Sequence, residues 1–315
     1  MSDTLATRAV DAVDDSNAAG QPAGPSLSPS RAADFMTCPL LYRFRVVDKL
    51  PEPPSPAAAR GTLVHAVLER LFDEPAQGRT PAAARLLLVP QWDRLLAEVP
   101  ALADMFDAET ERLAWLDEAA AMLDRYFTLE DPSRIEPAHR EMSVQALLDS
   151  GLSLRGYIDR LDVAQTGEIR IVDYKTGLAP VPDYEARALF QMKFYALALW
   201  RTRGDIPRLL QLIYLGNGEI VRYAPDEADL LATERKINAL WQAIDRARMS
   251  GDWGRGRAVC APGAHSRHCA RPSAARLRRC RSRPARAQVA VVAGRKPSAD
   301  PTMSAVADGS SAFSG

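Results

Sequence analysis

The sequence predicts an α/β protein in which a mixed central β-sheet is flanked by helices. Three observations support this prediction. Two alternating, β-branched runs surround a short turn between Gly151 and Gly177, which indicates a β-hairpin. Two further apolar runs on either side of Gly216–Gly218 indicate a second hairpin. Apolar residues at helical spacing occur before, between and after these hairpins, so that helices and strands alternate along the chain.

The first predicted helix is short and has a clear start and end. Ser28 can cap it, and Pro29 suits its first helical position. The chain continues in helical spacing to Met36, and Pro39, which directly follows Cys38, ends the helix.

Longer helices are predicted before the first hairpin. Thr62 is predicted to cap a helix that carries His65 beside an apolar stripe. A histidine in that position is more often structural than functional. Residues 81–127 then carry apolar residues at helical spacing, and we interpret about residues 75–135 as a helical insertion. Within it Trp92 and Trp115 are predicted to pack helices together.

The first hairpin brings charged side chains together. A three-residue loop, Gln165–Gly167, sets a register in which Asp159 faces Asp173. Directly opposed residues have Cβ atoms about 4.5–5.5 Å apart, and two carboxylates that close repel each other unless a cation lies between them. Lys175 is two residues after Asp173, so it shares the same face of the strand. The pattern predicts a divalent-cation site beside a catalytic lysine.

The alternative for Asp-x-Lys is an ordinary solvated strand face, which is the more frequent meaning of such a pattern taken alone. Ile169, Ile171 and Val172 favour a central strand instead, because an unpaired charge is costly there.

Two helices are predicted after the first hairpin. Asp183 can cap one that runs from Tyr184 to about Arg203, on which Gln191 and Tyr195 are four residues apart and share a face. Asp226 is predicted to cap a long helix that ends near Met249.

Composition limits the class of protein. The 315 residues are 47% hydrophobic, with no apolar run long enough for a membrane span and no signal peptide, so a cytoplasmic protein is expected. The first 250 residues hold 28 basic and 37 acidic residues, whereas the segment from Gly251 onward holds 12 basic and 3 acidic ones. An acidic body is not typical of a tight stand-alone nucleic-acid binder, so any such contact needs a local basic groove or a partner's surface.

The predicted folded domain spans residues 26–253. Residues 1–25 lack apolar periodicity and are predicted to be disordered. Residues 254–315 are rich in Arg, Ala, Pro, Ser and Gly and are also predicted to be disordered. This basic tail is either a nucleic-acid-binding arm or, as we prefer, an out-of-frame translation of a GC-rich gene.

Four motifs then resemble a known family. The motifs are GTLVH at residues 61–65, GYIDRLD at 156–162, IVDYKTG at 171–177 and QMKFY at 191–195. They occur in the order seen in RecB-type nucleases of the PD-(D/E)XK superfamily, and LSPSRAADFMTCPLLYRFR is similar to the N-terminus of bacterial RecB-family exonucleases. The resemblance covers about residues 26–253. It implies a restriction-endonuclease-like core and hydrolysis of phosphodiester bonds in DNA.

The resemblance also implies metal ligands. Asp159, Asp173 and the main-chain carbonyl of Tyr174 would hold Mg²⁺ or Mn²⁺, which are hard cations suited to oxygen ligands. His65 would be a further ligand, against its structural interpretation above. Glu141, the one other acid near the first hairpin strand, is not included in this ligand set.

Three more residues take roles from the resemblance. Lys175 would orient or deprotonate the attacking water and stabilise charge on the phosphate. Gln191 and Tyr195 would position the scissile strand or the water.

Iron–sulfur relatives bind a [4Fe–4S] cluster through one early cysteine and three late ones. Cys38 stands where the first belongs, but Cys260, Cys269 and Cys280 are separated by 8 and 10 intervening residues, unlike the close spacing of cluster ligands. We therefore expect no cluster, and we expect residues 27–45 to be held only by their own packing.

Three functions follow as hypotheses. The first is a metal-dependent DNA exonuclease of repair or recombination. The second is a catalytically inactive DNA-end-binding subunit that works with a helicase. The third is a purely structural α/β protein, which would require Asp159, Asp173 and Lys175 to cluster by chance.

Overall fold

The computed structural model of the protein describes residues 24–180 and 185–254, with side chains omitted at 185–187. The α-helices of the described part are α1 Pro29–Thr37, α2 Pro39–Tyr42, α3 Pro56–Leu71, α4 Pro81–Glu98, α5 Glu109–Leu129, α6 Glu185–Arg203 and α7 Glu227–Ser250. Its strands are β1 Ser26–Leu27, β2 His139–Leu147, β3 Ser153–Val163, β4 Ile169–Lys175, β5 Leu209–Tyr214 and β6 Glu219–Tyr223.

Several sequence predictions fall on residues outside the described ranges. These are the disordered N-terminal segment up to residue 23, the Asp183 cap, and the basic tail with Cys260, Cys269 and Cys280. The proposed domain boundaries and the interpretation of residues 75–135 as an insertion stay predictions.

The strands form one mixed sheet with the order β1-β3-β4-β5-β6, while β2 also pairs with β3. The pairs β3–β4 and β5–β6 are antiparallel hairpins, as predicted, and β4–β5 is parallel. The parallel pair is connected by α6, which crosses one face of the sheet. The predicted mixed central sheet with flanking helices is confirmed.

The sheet separates two hydrophobic cores. One core contains Ile171 with residues of α1, α6 and α7, and the other contains Val172 and Tyr174 with residues of α3, α4 and α5. Neighbouring β4 residues thus enter opposite cores, as the two-residue period of a strand requires. Trp92 and Trp115 lie in the second core with ring centroids 5.0 Å apart, which confirms their predicted helix packing.

The predicted caps have mixed outcomes. The side chains of Ser28 and Asp226 accept hydrogen bonds from the first turns of α1 and α7, as expected. The Thr62 cap is wrong, because α3 begins six residues earlier, where Ser55 accepts a hydrogen bond from Ala58 N–H. Thr62 lies inside the helix, and its hydroxyl donates to the carbonyl of Ala58.

The first hairpin has the predicted register. Ala164 N–H donates to Glu168 O, Gly167 has a φ of 88°, and the ladder pairs Arg160 with Val172. The strand β2 was not predicted from the sequence, and it pairs with β3 over most of its length. In the sequence, β2 is indicated by Val144 and Ala146, which alternate with polar neighbours in the two-residue period of a strand. The helical interpretation of the preceding segment obscured this period.

The expectation that residues 27–45 are held only by their own packing is wrong. Leu27, Ala32 and Tyr42 are buried in the core that also contains residues of α6 and α7. The Tyr42 ring stacks on Trp253 with centroids 6.0 Å apart. The last described residues therefore pack against the N-terminal segment and help to hold it in place. No helix among the described residues is long and apolar enough to cross a membrane.

Candidate active site

The candidate site lies at a stretch of β3 that has no paired strand on one of its two edges. On one edge β3 pairs with β1 at Ser153 and Leu154, and with β4 only from Arg160 onward. Residues 155–159 therefore have no paired strand on that edge within the described chain. At this break Asp159 Oδ2 accepts a hydrogen bond of 2.7 Å from Tyr174 N–H. The Asp159 carboxylate thus accepts the hydrogen bond that the Tyr174 N–H would otherwise lack, because the β3–β4 ladder does not extend to this point.

Three side chains form a candidate cation site. His65, Glu141 and Asp159 each offer a ligand atom, and these atoms lie within 4.8 Å of one another. His65 reaches the site from α3, with Nδ1 3.4 Å from Asp159 Oδ2. Its Nε2 lies 2.9 Å from the Tyr174 carbonyl oxygen, which accepts a hydrogen bond in the tautomer protonated at Nε2. That tautomer leaves Nδ1 free to act as a ligand.

Carboxylates lie close together in this site, and their burial and mutual repulsion shift the pKa values of its side chains. Burial, together with the charges of Glu69 and Asp173, raises the pKa of Glu141 to about 6. Burial and the charge of Asp173 raise the pKa of Asp159 well above its ordinary value. Burial lowers the pKa of His65. A cation among these groups would relieve the repulsion, and the two carboxylates are ligands that suit Mg²⁺ or Mn²⁺, so the residues fit a divalent metal.

The backbone of Glu141 supports a special role for this residue. Its φ is 43°, a conformation that costs a non-glycine residue about 1–3 kcal/mol and that concentrates at functional sites. The β2–β3 ladder pairs Arg140 with Arg160 and Met142 with Ile158, which places Glu141 level with Asp159. Glu141 was not in the predicted ligand set, because only the pairing of β2 with β3 brings it level with Asp159.

The predicted ligands Asp173 and the Tyr174 carbonyl are placed differently from expectation. Asp173 is absent from the group of ligand atoms and lies instead with Oδ2 2.6 Å from Lys175 Nζ. The Tyr174 carbonyl is engaged by His65. The roles assigned to both residues stay predictions, and the structure adds Glu141 as a candidate ligand.

Gln191 joins the Asp–Lys pair to α6. Lys175 Nζ donates to Gln191 Oε1 at 2.8 Å, and Gln191 Nε2 donates to Asp173 Oδ1 at 2.8 Å and to the Tyr195 hydroxyl at 3.0 Å. The four predicted residues are therefore brought into one hydrogen-bonded chain. Gly156 makes this possible, because a Cβ there would lie 2.5 Å from Cε1 of Tyr195.

A buried ionic network lies behind the site. The Arg160 side chain, only 1% exposed, donates to the Tyr174 hydroxyl at 2.6 Å and pairs with Glu130 and Asp162. Arg170 shares both carboxylates. Tyr174 contacts Asp159 through its N–H and His65 through its carbonyl, so the network fixes the residue that positions both candidate ligands.

Cys38 connects α1 to α2 and is half-buried with a free thiol. The other three cysteines lie outside the described residues, so the expected lack of an iron–sulfur cluster stays a prediction.

The fold and the site together define a class of enzyme. A mixed sheet that presents a histidine–carboxylate cation site beside a carboxylate-bound lysine is suited to hydrolysis of an anionic ester. The model of the PD-(D/E)XK nuclease superfamily matches residues 26–274, and the chain belongs to that superfamily. Its members hydrolyse phosphodiester bonds and generally use divalent metals.

Individual relatives are distant. The chain is similar to the Gene 69 protein of Mycobacterium phage D29, with 28% identity over 203 residues that cover 57% of this chain and 71% of the phage protein. A crystal structure of an exonuclease candidate from Eubacterium rectale aligns with 71% of this chain and 82% of its own, at 13% identity and a TM-score of 0.47. A similarity of that size carries no information about the site.

Proposed function

We propose that the protein is a Mg²⁺- or Mn²⁺-dependent DNA exonuclease of the RecB type that acts in repair or recombination. The observation that supports this proposal is that Lys175, 2.6 Å from Asp173, is near enough for its charge to affect the pKa of both His65 and Asp159 in the candidate cation site. A helicase partner and a cytoplasmic location remain expectations from the sequence.

In the proposed mechanism His65, Glu141 and Asp159 would hold the metal. A bound Mg²⁺ or Mn²⁺ would lower the pKa of a coordinated water and neutralise charge on the phosphoryl oxygens. Lys175 orients the attacking water and stabilises the charge that develops on the phosphate. Asp173 and Gln191 hold the Lys175 ammonium in place, at 2.6 and 2.8 Å, and Tyr195 fixes the amide of Gln191.

Exonuclease action is tested by comparing linear and circular DNA. We expect cleavage of linear single-stranded and double-stranded DNA in Mg²⁺ and none of covalently closed circles. Equal cleavage of circles would make the protein an endonuclease. Binding to linear DNA without cleavage in either metal would favour the catalytically inactive DNA-end-binding subunit.

Glu141→Gln tests the metal ligands. Removal of one of three candidate ligands is expected to weaken Mn²⁺ binding by at least about tenfold, since even outer contacts of metal sites carry effects of that size. Calorimetric titration of the metal-free protein with Mn²⁺ measures the affinity. The control is Glu98→Gln, which changes an exposed glutamate at the end of α4 that is not one of the candidate ligands. Unchanged Mn²⁺ affinity in Glu141→Gln would remove Glu141 from the ligand set.

A further inference from the structure

A groove leads away from the candidate active site between β3, α1 and α6. It begins at Asp159, Gln191 and Tyr195 and ends at the first turn of α1, at residues 28–31. Its volume is about 610 Å³. The groove occupies the break in the sheet, because Arg155, Gly156, Tyr157 and Asp159 of β3 line it where no described strand pairs with that edge.

The charges along this groove are predominantly positive. Of the described residues that line it, the charged ones are Arg31, Arg155 and Asp159, and Asp159 belongs to the candidate cation site. Two arginines in one groove are a local exception in a body with more acidic than basic residues. Such a local basic groove is what nucleic-acid binding by an acidic protein requires.

Arg155 has an unused hydrogen-bond donor. Its Nε is buried and has no hydrogen-bond partner within the part of the chain that the structure describes. A buried donor left unpaired is destabilising, whereas a guanidinium can bind a phosphate through two parallel hydrogen bonds. A phosphate in the groove would give the Arg155 guanidinium a charged acceptor.

Tyr157 provides an aromatic surface at the same place. It lies two residues from both Arg155 and Asp159 on β3, and 62% of its surface is exposed. An exposed ring of this size is a stacking platform for a nucleic-acid base, a contact that tolerates any base because every base has a π-face.

We propose that this groove binds the single strand next to the cleaved phosphodiester, with Arg31 and Arg155 on its phosphates and Tyr157 stacked on a base. The proposal rests on the proposed nuclease function and adds the form of the substrate. A volume of about 610 Å³ lies in the range of small-ligand sites, so the groove holds roughly one or two nucleotides of one strand. A paired end must therefore separate before it enters.

The test compares two substrates of different length. One is a labelled single-stranded oligonucleotide, and the other is thymidine 5′-(p-nitrophenyl) phosphate, which spans only the bond that is cleaved. In the double variant Arg31→Gln/Arg155→Gln we expect the KM for the oligonucleotide to rise at least about tenfold, while kcat/KM for the small diester stays unchanged. A loss of structure would affect both substrates.

Further variants separate charge from stacking. Arg31→Lys/Arg155→Lys keeps the charges but not the planar fork, so its affinity should lie between those of the parent and the double glutamine variant. Tyr157→Phe should bind the oligonucleotide as the parent does, whereas Tyr157→Ala should lose about tenfold. The controls are Arg94→Gln/Arg134→Gln, which changes two exposed arginines outside the groove, and Leu147→Ala, which removes an exposed apolar side chain outside it. Both controls should match the parent.

Binding measured in chelator makes the test independent of catalysis. Fluorescence anisotropy of the oligonucleotide should show the same loss in the double glutamine variant, with a salt dependence whose log–log slope is smaller by about 1.4 for two lost phosphate contacts. Equal oligonucleotide binding by parent and double variant would overturn the groove proposal. A parent protein that binds the oligonucleotide through these residues but cleaves neither substrate would overturn only the proposed nuclease function.

Discussion

Replacement of Lys175 by alanine is expected to reduce DNA cleavage by at least about 10³-fold, because positioned proton transfer and charge stabilisation each contribute about 10²-fold or more. The ammonium is the one cationic group that lies 2.6 Å from Asp173 and 2.8 Å from Gln191 in the described site. Initial rates on a linear substrate at saturating Mg²⁺ measure the effect. Circular dichroism and the melting temperature should change little, because the Lys175 side chain is 30% exposed and lies at the end of β4.

Lys236→Ala is the matched control. Lys236 is an exposed lysine on α7 that lines neither the groove nor the cation site. Its ammonium lies 4.8 Å from the centroid of the Phe190 ring and contacts no candidate catalytic residue among the described contacts, so its replacement should leave the cleavage rate as it is. Cleavage by Lys175→Ala at a rate near that of Lys236→Ala would show that the ammonium is not part of the catalytic machinery.

Replacement of Arg160 by alanine is expected to lower the free energy of unfolding by about 3–5 kcal/mol, the usual cost of removing one partner from a buried ion network. Glu130 and Asp162 would keep Arg170 as their remaining arginine, and the Tyr174 hydroxyl would lose its 2.6 Å hydrogen bond. Urea unfolding followed by circular dichroism measures the loss. Mn²⁺ affinity should also fall, because Tyr174 positions His65 and Asp159.

A milder variant and a control accompany Arg160→Ala. Arg160→Lys keeps the charge but not the planar fork, so we expect a smaller loss, which keeps the measurement possible if the alanine variant does not fold. Arg134→Ala removes an exposed arginine and should change the free energy of unfolding by no more than about 0.5 kcal/mol. If Arg160→Ala unfolds at the same urea concentration as Arg134→Ala, the network makes no net contribution to stability.

Local features of this chain follow from the sequence alone. The loop Gln165–Gly167, the strand register that it imposes and the caps at Ser28 and Asp226 involve residues only a few positions apart. The face shared by Gln191 and Tyr195 likewise follows from helical spacing. Turn geometry and periodicity determine such features before the chain folds, so a sequence is enough to predict them.

The composition of the cation site was decided by the tertiary structure. Glu141 joins His65 and Asp159 because β2 pairs with β3 and α3 packs against the sheet, which brings together residues that are up to 94 positions apart. Asp173 turns to Lys175 and Gln191 because α6 crosses the sheet at that point. The stacking of Tyr42 on Trp253 and the groove beside Arg155 have the same origin. Local sequence preferences determine the elements, whereas the packing of distant elements determines which side chains meet, because burial favours close-packed arrangements irrespective of separation along the chain.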